Sequence, residues 1–301
     1  MIRVHFHGVE TMALLYILIY EFAYQGESML VRRYGRKYGD GGFLFNGGVC
    51  LFAMLFFVIT DEGRLYFAPE LWKYGIVNGL LYAAGFYFAY LAYRIGPYLL
   101  SHTITGLSFV LPISYGLFFL HESANYMTYL ALACTLISFF LMVCNKSGAK
   151  EDKGFSLLWL LAALTTLFST GFIAILSKKQ QAAFDNLYTN EYMIITLACS
   201  TCFLLLLGLL AERKKLKQTF LKGSLYGMGA GLLNGAANFA SLLAMMLVPL
   251  SFLTPMKMAL AKPLEFCVSF FIYKERYTLM QYLSIGFGIL SVVFIQAAKY
   301  I

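Results

Sequence analysis

The chain has 301 residues, of which 60% are hydrophobic and only 13% are charged, and its mean hydropathy is +0.71. This composition excludes a soluble globular domain and predicts an integral membrane protein, because apolar stretches of roughly 20 residues recur along the chain. The stretches are continuous rather than alternating, so we expect an all-α membrane protein whose backbone groups are satisfied within helices. The net charge of +8 does not indicate nucleic acid, because most basic residues fall in predicted loops and tails.

Ten transmembrane helices are predicted along the sequence, with loops rich in charge and glycine between them. In chain order they cover residues 11–30, 43–60, 74–93, 97–120, 126–144, 155–176, 192–211, 224–247, 249–275 and 279–297. The cysteines lie in or at the ends of these spans without the spacing of a metal site, so we expect no metal and no cofactor.

The second half of the sequence repeats the first. Each half has a glycine pair in its third span, a proline that opens its fourth span and a glutamate that closes it: Gly75, Gly79, Pro97 and Glu122, then Gly227, Gly231, Pro249 and Glu275. We therefore predict two five-helix domains, residues 1–148 and 149–301. Because five is odd, the second would enter the membrane inverted, as two inverted five-helix repeats with a site near the midplane.

The ninth span is apolar enough to cross a bilayer, yet it contains three prolines and the charged residues Lys257, Lys262 and Glu265. Charges at mid-membrane are costly and usually functional, and a proline-broken helix is typical of transporter sites. Lys262 and Glu265 are one turn apart and are predicted to form a structural charge pair. Lys257 has no acidic residue within reach on its own helix, so we expect it to face a cavity and to meet a substrate carboxylate or phosphate.

The ordered set of features in each half resembles the drug/metabolite transporter superfamily, in its ten-span EamA-like branch. In this chain the resemblance is carried by Gly79, Gly96-Pro97 and Glu122, and by Gly231, Pro249 and Glu275. The resemblance implies a central cavity lined by spans one, three, four, six, eight and nine. It also implies a multi-pass protein of the plasma (inner) membrane if the source is bacterial. The paired lysines of span nine are instead similar to those of sugar-phosphate and nucleotide-sugar carriers.

The orientation in the membrane has two competing predictions. Lys and Arg are concentrated in the odd-numbered loops, and the positive-inside rule then puts these loops, including Lys214–Lys217, in the cytoplasm and both termini outside. Members of the family that the sequence resembles usually place both termini in the cytoplasm.

Other polar residues inside spans are candidates for substrate binding. Glu21 is a candidate proton-coupling group or the partner of Lys257, and His102 is a proton relay or a core histidine. Glu27 is predicted either to pair with Arg32 near the end of span one or to act in the site. The remaining substrate-binding candidates are Asn78, Asn234 and Asn238, for which interhelical hydrogen bonding is the alternative, and Thr254.

The sequence has no catalytic constellation and no nucleotide-binding segment, so we expect no enzyme, and transport driven by a gradient or by exchange. The leading expectation is a secondary transporter, an exporter of amino acids or related metabolites. An organic-phosphate or nucleotide-sugar exchanger and a multidrug exporter are the alternatives. A non-transporting membrane partner or lipid-handling protein is the alternative from another class. The expected partners are a small-molecule substrate, protons or a counter-substrate, and the lipid bilayer.

Overall fold

The computed structural model describes residues 2–38, 42–61, 65–95, 101, 104–122, 125–144, 156–268, 271 and 278–298, and over these residues the fold is all-helical. The side chains of residues 2–10, 93, 94, 142–144, 262, 265, 266, 281 and 296 are outside this description.

The described residues form ten longer helices. They are α1 (Ile2–Tyr38), α2 (Phe43–Thr60), α3 (Leu71–Ile95), α4 (Ile104–Phe118, with a 3-10 turn at Leu107–Phe109), α5 (Tyr126–Cys144), α6 (Leu157–Ala183), α7 (Thr189–Ala211), α8 (Ser224–Leu247), α9 (Leu250–Cys267) and α10 (Leu279–Ala297). Five of the described helices, namely α2, α3, α6, α7 and α8, are long and apolar enough to cross a membrane.

Several predicted boundaries agree with the helices, and the differences have physical causes. The bounds of α2, α5, α8 and α10 coincide with the predicted ones. Helix α1 continues to Tyr38 and α6 to Ala183. The predicted spans stop where the apolar stretch meets its first polar residues, whereas the backbone hydrogen bonds of the helix continue past them. The prediction that span nine is broken by proline is wrong, since α9 is a continuous helix that includes Pro255 and Pro263. Each proline removes its own N–H from the ladder and crowds the preceding turn, and the packing of α9 against its neighbours keeps the helix intact.

Helices α2, α3, α7 and α8 pack into a layer with an apolar core. Helix α2 contacts α7 and α8, and α3 contacts α6 and α7. Phe57, Leu71, Tyr192, Leu197 and Leu204 are fully buried in this core. Helix α1 lies against α8 and α9, α9 also packs against α4 and α10, and α5 pairs with α10.

Glycines allow close backbone approach within the layer. A Cβ atom at Gly79 would lie 2.6 Å from the Thr196 carbonyl oxygen of α7, and one at Gly231 would lie 2.6 Å from the Val49 carbonyl oxygen of α2. Gly227 differs, because its nearest neighbour would be 3.9 Å away in ordinary contact. Gly75 and Gly79 thus allow the close α3–α7 approach, and Gly231 and Gly235 allow the close α8–α2 approach.

The α5–α10 pair is joined by buried hydroxyl groups instead. Ser138 Oγ donates to the Ser284 carbonyl oxygen at 2.6 Å, and Ser284 Oγ donates to the Ser138 carbonyl oxygen at 2.7 Å. The hydroxyls of Thr135 and Ser291 are 2.7 Å apart. These reciprocal bonds satisfy polar side chains inside an otherwise apolar interface.

Candidate binding cavity

A cavity of about 240 Å³ lies between α1, α3, α4, α6, α8 and α9. These are the same six helices to which the family resemblance assigns a central cavity, and Met193 of α7 is the single addition. The volume is below the usual range for drug-sized ligands, about 300–1,000 Å³, and suits a small metabolite. The polar part of the wall is formed by Tyr20, Tyr82, Ser108, Thr170, Ser177, Asn238, Ser241, Thr254 and Lys257.

Lys257 is the only charged side chain among the described residues that line this cavity. Its Nζ donates to Ser241 Oγ at 2.7 Å and lies 3.5 Å from the ring centroid of Tyr20. The ring face is electron-rich, so the contact with Tyr20 is a cation–π interaction. Lys257 also interacts electrostatically with Glu21. An ammonium group held in this way is available to an anion that enters the cavity.

Glu21 lies behind the wall of the cavity rather than in it. It follows Tyr20 on α1 and is only 1% exposed. Its electrostatic partners include Lys257 of α9 and the neighbouring Tyr20. Of the two roles considered for Glu21, the structure therefore brings together the pair with Lys257.

A chain of hydrogen bonds leads from the cavity wall to Glu27. Tyr82 Oη donates to Asn238 Oδ1 at 3.0 Å, and Asn238 Nδ2 donates to Asn234 Oδ1 at 2.9 Å. Asn234 Nδ2 donates to both carboxylate oxygens of Glu27, each at 3.0 Å. The chain links α3, α8 and α1, and only Tyr82 and Asn238 of its members line the cavity. Asn234 is thus a connecting residue rather than a wall residue.

Sequence reasoning assigned Glu27 no definite role, and the structure gives it the amide of Asn234 as its partner. The spacing of Asn234 and Asn238, four residues apart on α8, was the available signal, because it puts both amides on one helical face. Tyr82 and Ser241 were not predicted, since single hydroxyls in apolar helices are common and carry no distinctive pattern.

The other predicted site residues are divided between the cavity, the core and the residues outside the description. Thr254 lines the cavity one turn before Lys257. Asn78 is fully buried and its Nδ2 lies 3.4 Å from Thr196 Oγ1 of α7, so it acts as an interhelical hydrogen-bonding residue. His102 and the side chains of Lys262 and Glu265 are outside the described residues, so the structure does not describe the predicted pair.

Two charged residues hold the junction of α8 and α9 at the edge of the cavity. Lys178 Nζ of α6 donates to the Met245 carbonyl oxygen in the last turn of α8, at 2.6 Å. The Glu122 carboxylate, which follows α4, accepts from the backbone N–H groups of Leu250 and Ser251 at 2.9 and 2.8 Å. A cation at a helix C-terminus and an anion at an N-terminus both complement the helix dipole. Glu122, which follows α4, therefore caps the N-terminus of α9.

A solved structure described only as "Crystal structure of protein" is similar to this chain, with a TM-score of 0.73 and 14% sequence identity. The similarity covers 93% of this chain and 98% of that chain. No protein-family model matches the sequence, and no curated protein is significantly similar to it. At this level of identity the solved structure shows a shared fold alone.

Proposed function

We propose that the protein is a secondary transporter of small metabolites, with amino acids as the leading candidate substrates. In this proposal it works by alternating access through the central cavity. In this proposal ten helices span the membrane, and residues 1–148 and 149–301 are inverted repeats. The drug/metabolite transporter superfamily, in its EamA-like branch, is the proposed family.

The pattern of helix contacts supports the repeat. If the halves are exchanged, the α1–α8 contact becomes α6–α3, α2–α8 becomes α7–α3, and α1–α9 becomes α6–α4, and each of these contacts is present. The α2–α7, α4–α9 and α5–α10 contacts are their own counterparts. The glycine contacts follow the same rule, since Gly79 approaches α7 and Gly231 approaches α2. Two halves related in this way can rock about a site between them.

The observation that carries the function is Lys257 in the cavity wall, held by Ser241 and the face of Tyr20 and interacting electrostatically with Glu21. A substrate carboxylate that binds Lys257 replaces the interaction with Glu21. The amino group of the same substrate then has the face of the Tyr20 ring as its partner, with the Glu21 carboxylate behind the wall. An internal pair of opposite charges is thus complementary to a zwitterion, which favours an amino acid over a phosphate ester with two negative charges.

The test is ligand-induced thermal stabilisation of the purified protein with separate panels of free amino acids and of sugar phosphates. We expect an amino acid to stabilise the wild type and the control Lys179→Met, whose exposed ammonium lies over Tyr115 outside the cavity. The same amino acid should not stabilise Lys257→Met. Transport of that compound into proteoliposomes should be lost in Lys257→Met and retained in the control.

Two outcomes contradict the proposal. Equal stabilisation and transport in Lys257→Met would show that the lysine is structural. Stabilisation only by sugar phosphates, with transport that depends on a counter-substrate, would instead support an organic-phosphate exchanger.

A further inference from the structure

Glu27 lies deeper in the helix bundle than its place at the end of the predicted first span implies. Its partner Asn234 is near the middle of α8, and Tyr82, at the other end of the hydrogen-bond chain, is near the middle of α3. Because α1 continues to Tyr38, the Glu27 carboxylate is placed about halfway along the neighbouring helices. In the proposed transporter this level is the midplane of the membrane, where an ionised group is costly.

We propose that Glu27 is a proton-binding site, and that the chain Asn234–Asn238–Tyr82 transmits its protonation state to the cavity; the use of this proton in transport rests on the proposed function.

The charges at this level are the first argument. The carboxylates are Glu21 and Glu27, and the described ammonium group is Lys257, whose electrostatic partner is Glu21. Among the described residues, the titratable groups that interact electrostatically with Glu27 include Tyr20 on its own helix, Cys50 of α2 and Tyr82 of α3, all of which are ordinarily neutral. Helix α8 contributes the Asn234 amide, and α9 contributes Lys257, already bound to Ser241. A proton on Glu27 removes the charge that these neighbours leave uncompensated.

The direction of the hydrogen bonds is the second argument. Every donor in the chain points toward Glu27, from Tyr82 Oη to Asn238 and from the Asn238 amide to Asn234. This direction requires an acceptor at the end, and both oxygens of an ionised carboxylate accept from Asn234. A protonated carboxyl group has a hydrogen to donate, and the amide oxygen of Asn234 can take it only after the amide rotates by half a turn.

The rotation passes along the chain, because each amide has one accepting and one donating side. Once Asn234 presents its oxygen to Glu27, its Nδ2 faces Asn238. The Asn238 oxygen turns to accept from it, and Asn238 Nδ2 gives up its second bond, to the Asn234 backbone carbonyl oxygen at 3.0 Å. The Asn238 amide nitrogen then faces Tyr82 Oη, which becomes an acceptor. The hydroxyl hydrogen of Tyr82 is freed for the cavity, where it can bind an anion together with Lys257. Proton binding at Glu27 and anion binding in the cavity therefore favour each other, and thermodynamic linkage makes the effect reciprocal.

The experiment is pH-difference infrared spectroscopy of the purified protein in lipid vesicles without substrate. As the pH falls, we expect the carbonyl stretch of a protonated carboxyl group to appear, together with a change in tyrosine ring modes. Glu27→Gln should lose both signals, whereas the matched control Glu21→Gln should keep them. Tyr82→Phe and Asn234→Leu should keep the carboxyl signal and lose the tyrosine signal, because the proton site remains but its connection is interrupted.

The spectra contain no substrate, so a failed transport assay leaves this result unaffected, and a failed infrared result leaves the substrate assignment unaffected. Absence of the carboxyl signal in the wild type, its full retention in Glu27→Gln, or its loss only in Glu21→Gln would overturn the proton site. A tyrosine signal that persists in Asn234→Leu would overturn the connection. If Glu27→Gln is not monodisperse, Glu27→Asp takes its place: a shifted titration supports the site, and an unchanged one overturns it.

Discussion

The layer of α2, α3, α7 and α8 and the cavity beside it use opposite kinds of contact. In the layer, glycines let neighbouring helix backbones come into contact around an apolar core that includes Phe57 and Tyr192. In and behind the wall of the cavity, Lys257, Glu21 and Glu27 are placed where each must be satisfied by a few polar partners. The first arrangement stabilises the fold through packing, whereas the second places one buried and two half-buried charged groups where they can bind ligands or protons.

Helix α8 belongs to both regions, and different turns of the helix serve each of them. Gly231 and Gly235 contact α2, whereas Asn238 and Ser241 line the cavity. Residues 231 and 238 are seven positions apart and share one side of the helix, so the packed and the cavity-lining positions are separated mainly along its axis. The comparison therefore predicts that substitutions on α8 and its neighbours divide into those that change stability and those that change binding.

The largest loss of stability is expected where the backbones of α8 and α2 are in contact. Gly231→Leu places a side chain against the Val49 carbonyl oxygen and Phe52 Cβ, where even a Cβ atom would be 2.6 and 2.5 Å away. Overpacking of this kind should destabilise the protein by about 3 kcal/mol. Gly48→Leu is the matched control on α2, because a Cβ atom at Gly48 meets nothing within 4 Å. Thermal unfolding in detergent measures both, and equal midpoints would remove the distinction between the two glycines.

A smaller loss of stability is expected at the junction of α8 and α9, at the edge of the cavity. Glu122→Ala leaves the N–H groups of Leu250 and Ser251 without their carboxylate acceptor, which should cost about 1–3 kcal/mol. Glu70→Ala removes an exposed carboxylate and should have no measurable effect. Chemical unfolding of the two variants provides the comparison. A loss of the same size in Glu70→Ala would show that net charge, rather than the cap, is responsible.

The smallest effect on stability is expected inside the cavity. Lys257→Met combined with Glu21→Gln replaces two opposite charges by neutral side chains of similar size, and such replacements are often neutral or stabilising. Lys257→Met alone leaves Glu21 with less compensation, so the double variant should be more stable than the single variant and at least as stable as the wild type. Thermal unfolding of the single and double variants tests this. A large loss in the double variant would mean that the cavity residues are part of the structural core.

Most of the fold could be predicted from the sequence, because membrane-length apolar stretches and glycine pairs determine where helices lie and approach. The ends of α1 and α6 could not, since Lys178, Gln180 and Gln181 are polar and interrupt the hydropathy signal. In the structure Lys178 and Gln181 bond the carbonyl oxygens of Met245 and Leu242 on α8, so the helix continues because it has partners that are distant in sequence.

Only part of the candidate site could be predicted from the sequence, because the rest also depends on contacts between residues that are distant in the chain. Lys257 stands out in any apolar helix, and Asn238 and Thr254 were named with it. The role of Glu27 depends on α1 lying against α8 with Asn234 at the same level, and no local pattern encodes that alignment. The continuity of α9 through two prolines likewise depends on packing against α1, α4 and α10.

The caps at the junction of α8 and α9 have a consequence for the covalent chain itself. Lys178 fixes the last turn of α8 and Glu122 fixes the first turn of α9, so each side of the Val248–Pro249 peptide bond is positioned by a group from elsewhere in the molecule. Both groups belong to the part of the chain before this bond. A chain cut there retains, in its larger fragment, the carboxylate that binds the first N–H groups of the smaller one. The bond thus joins two helix ends that are already positioned without it.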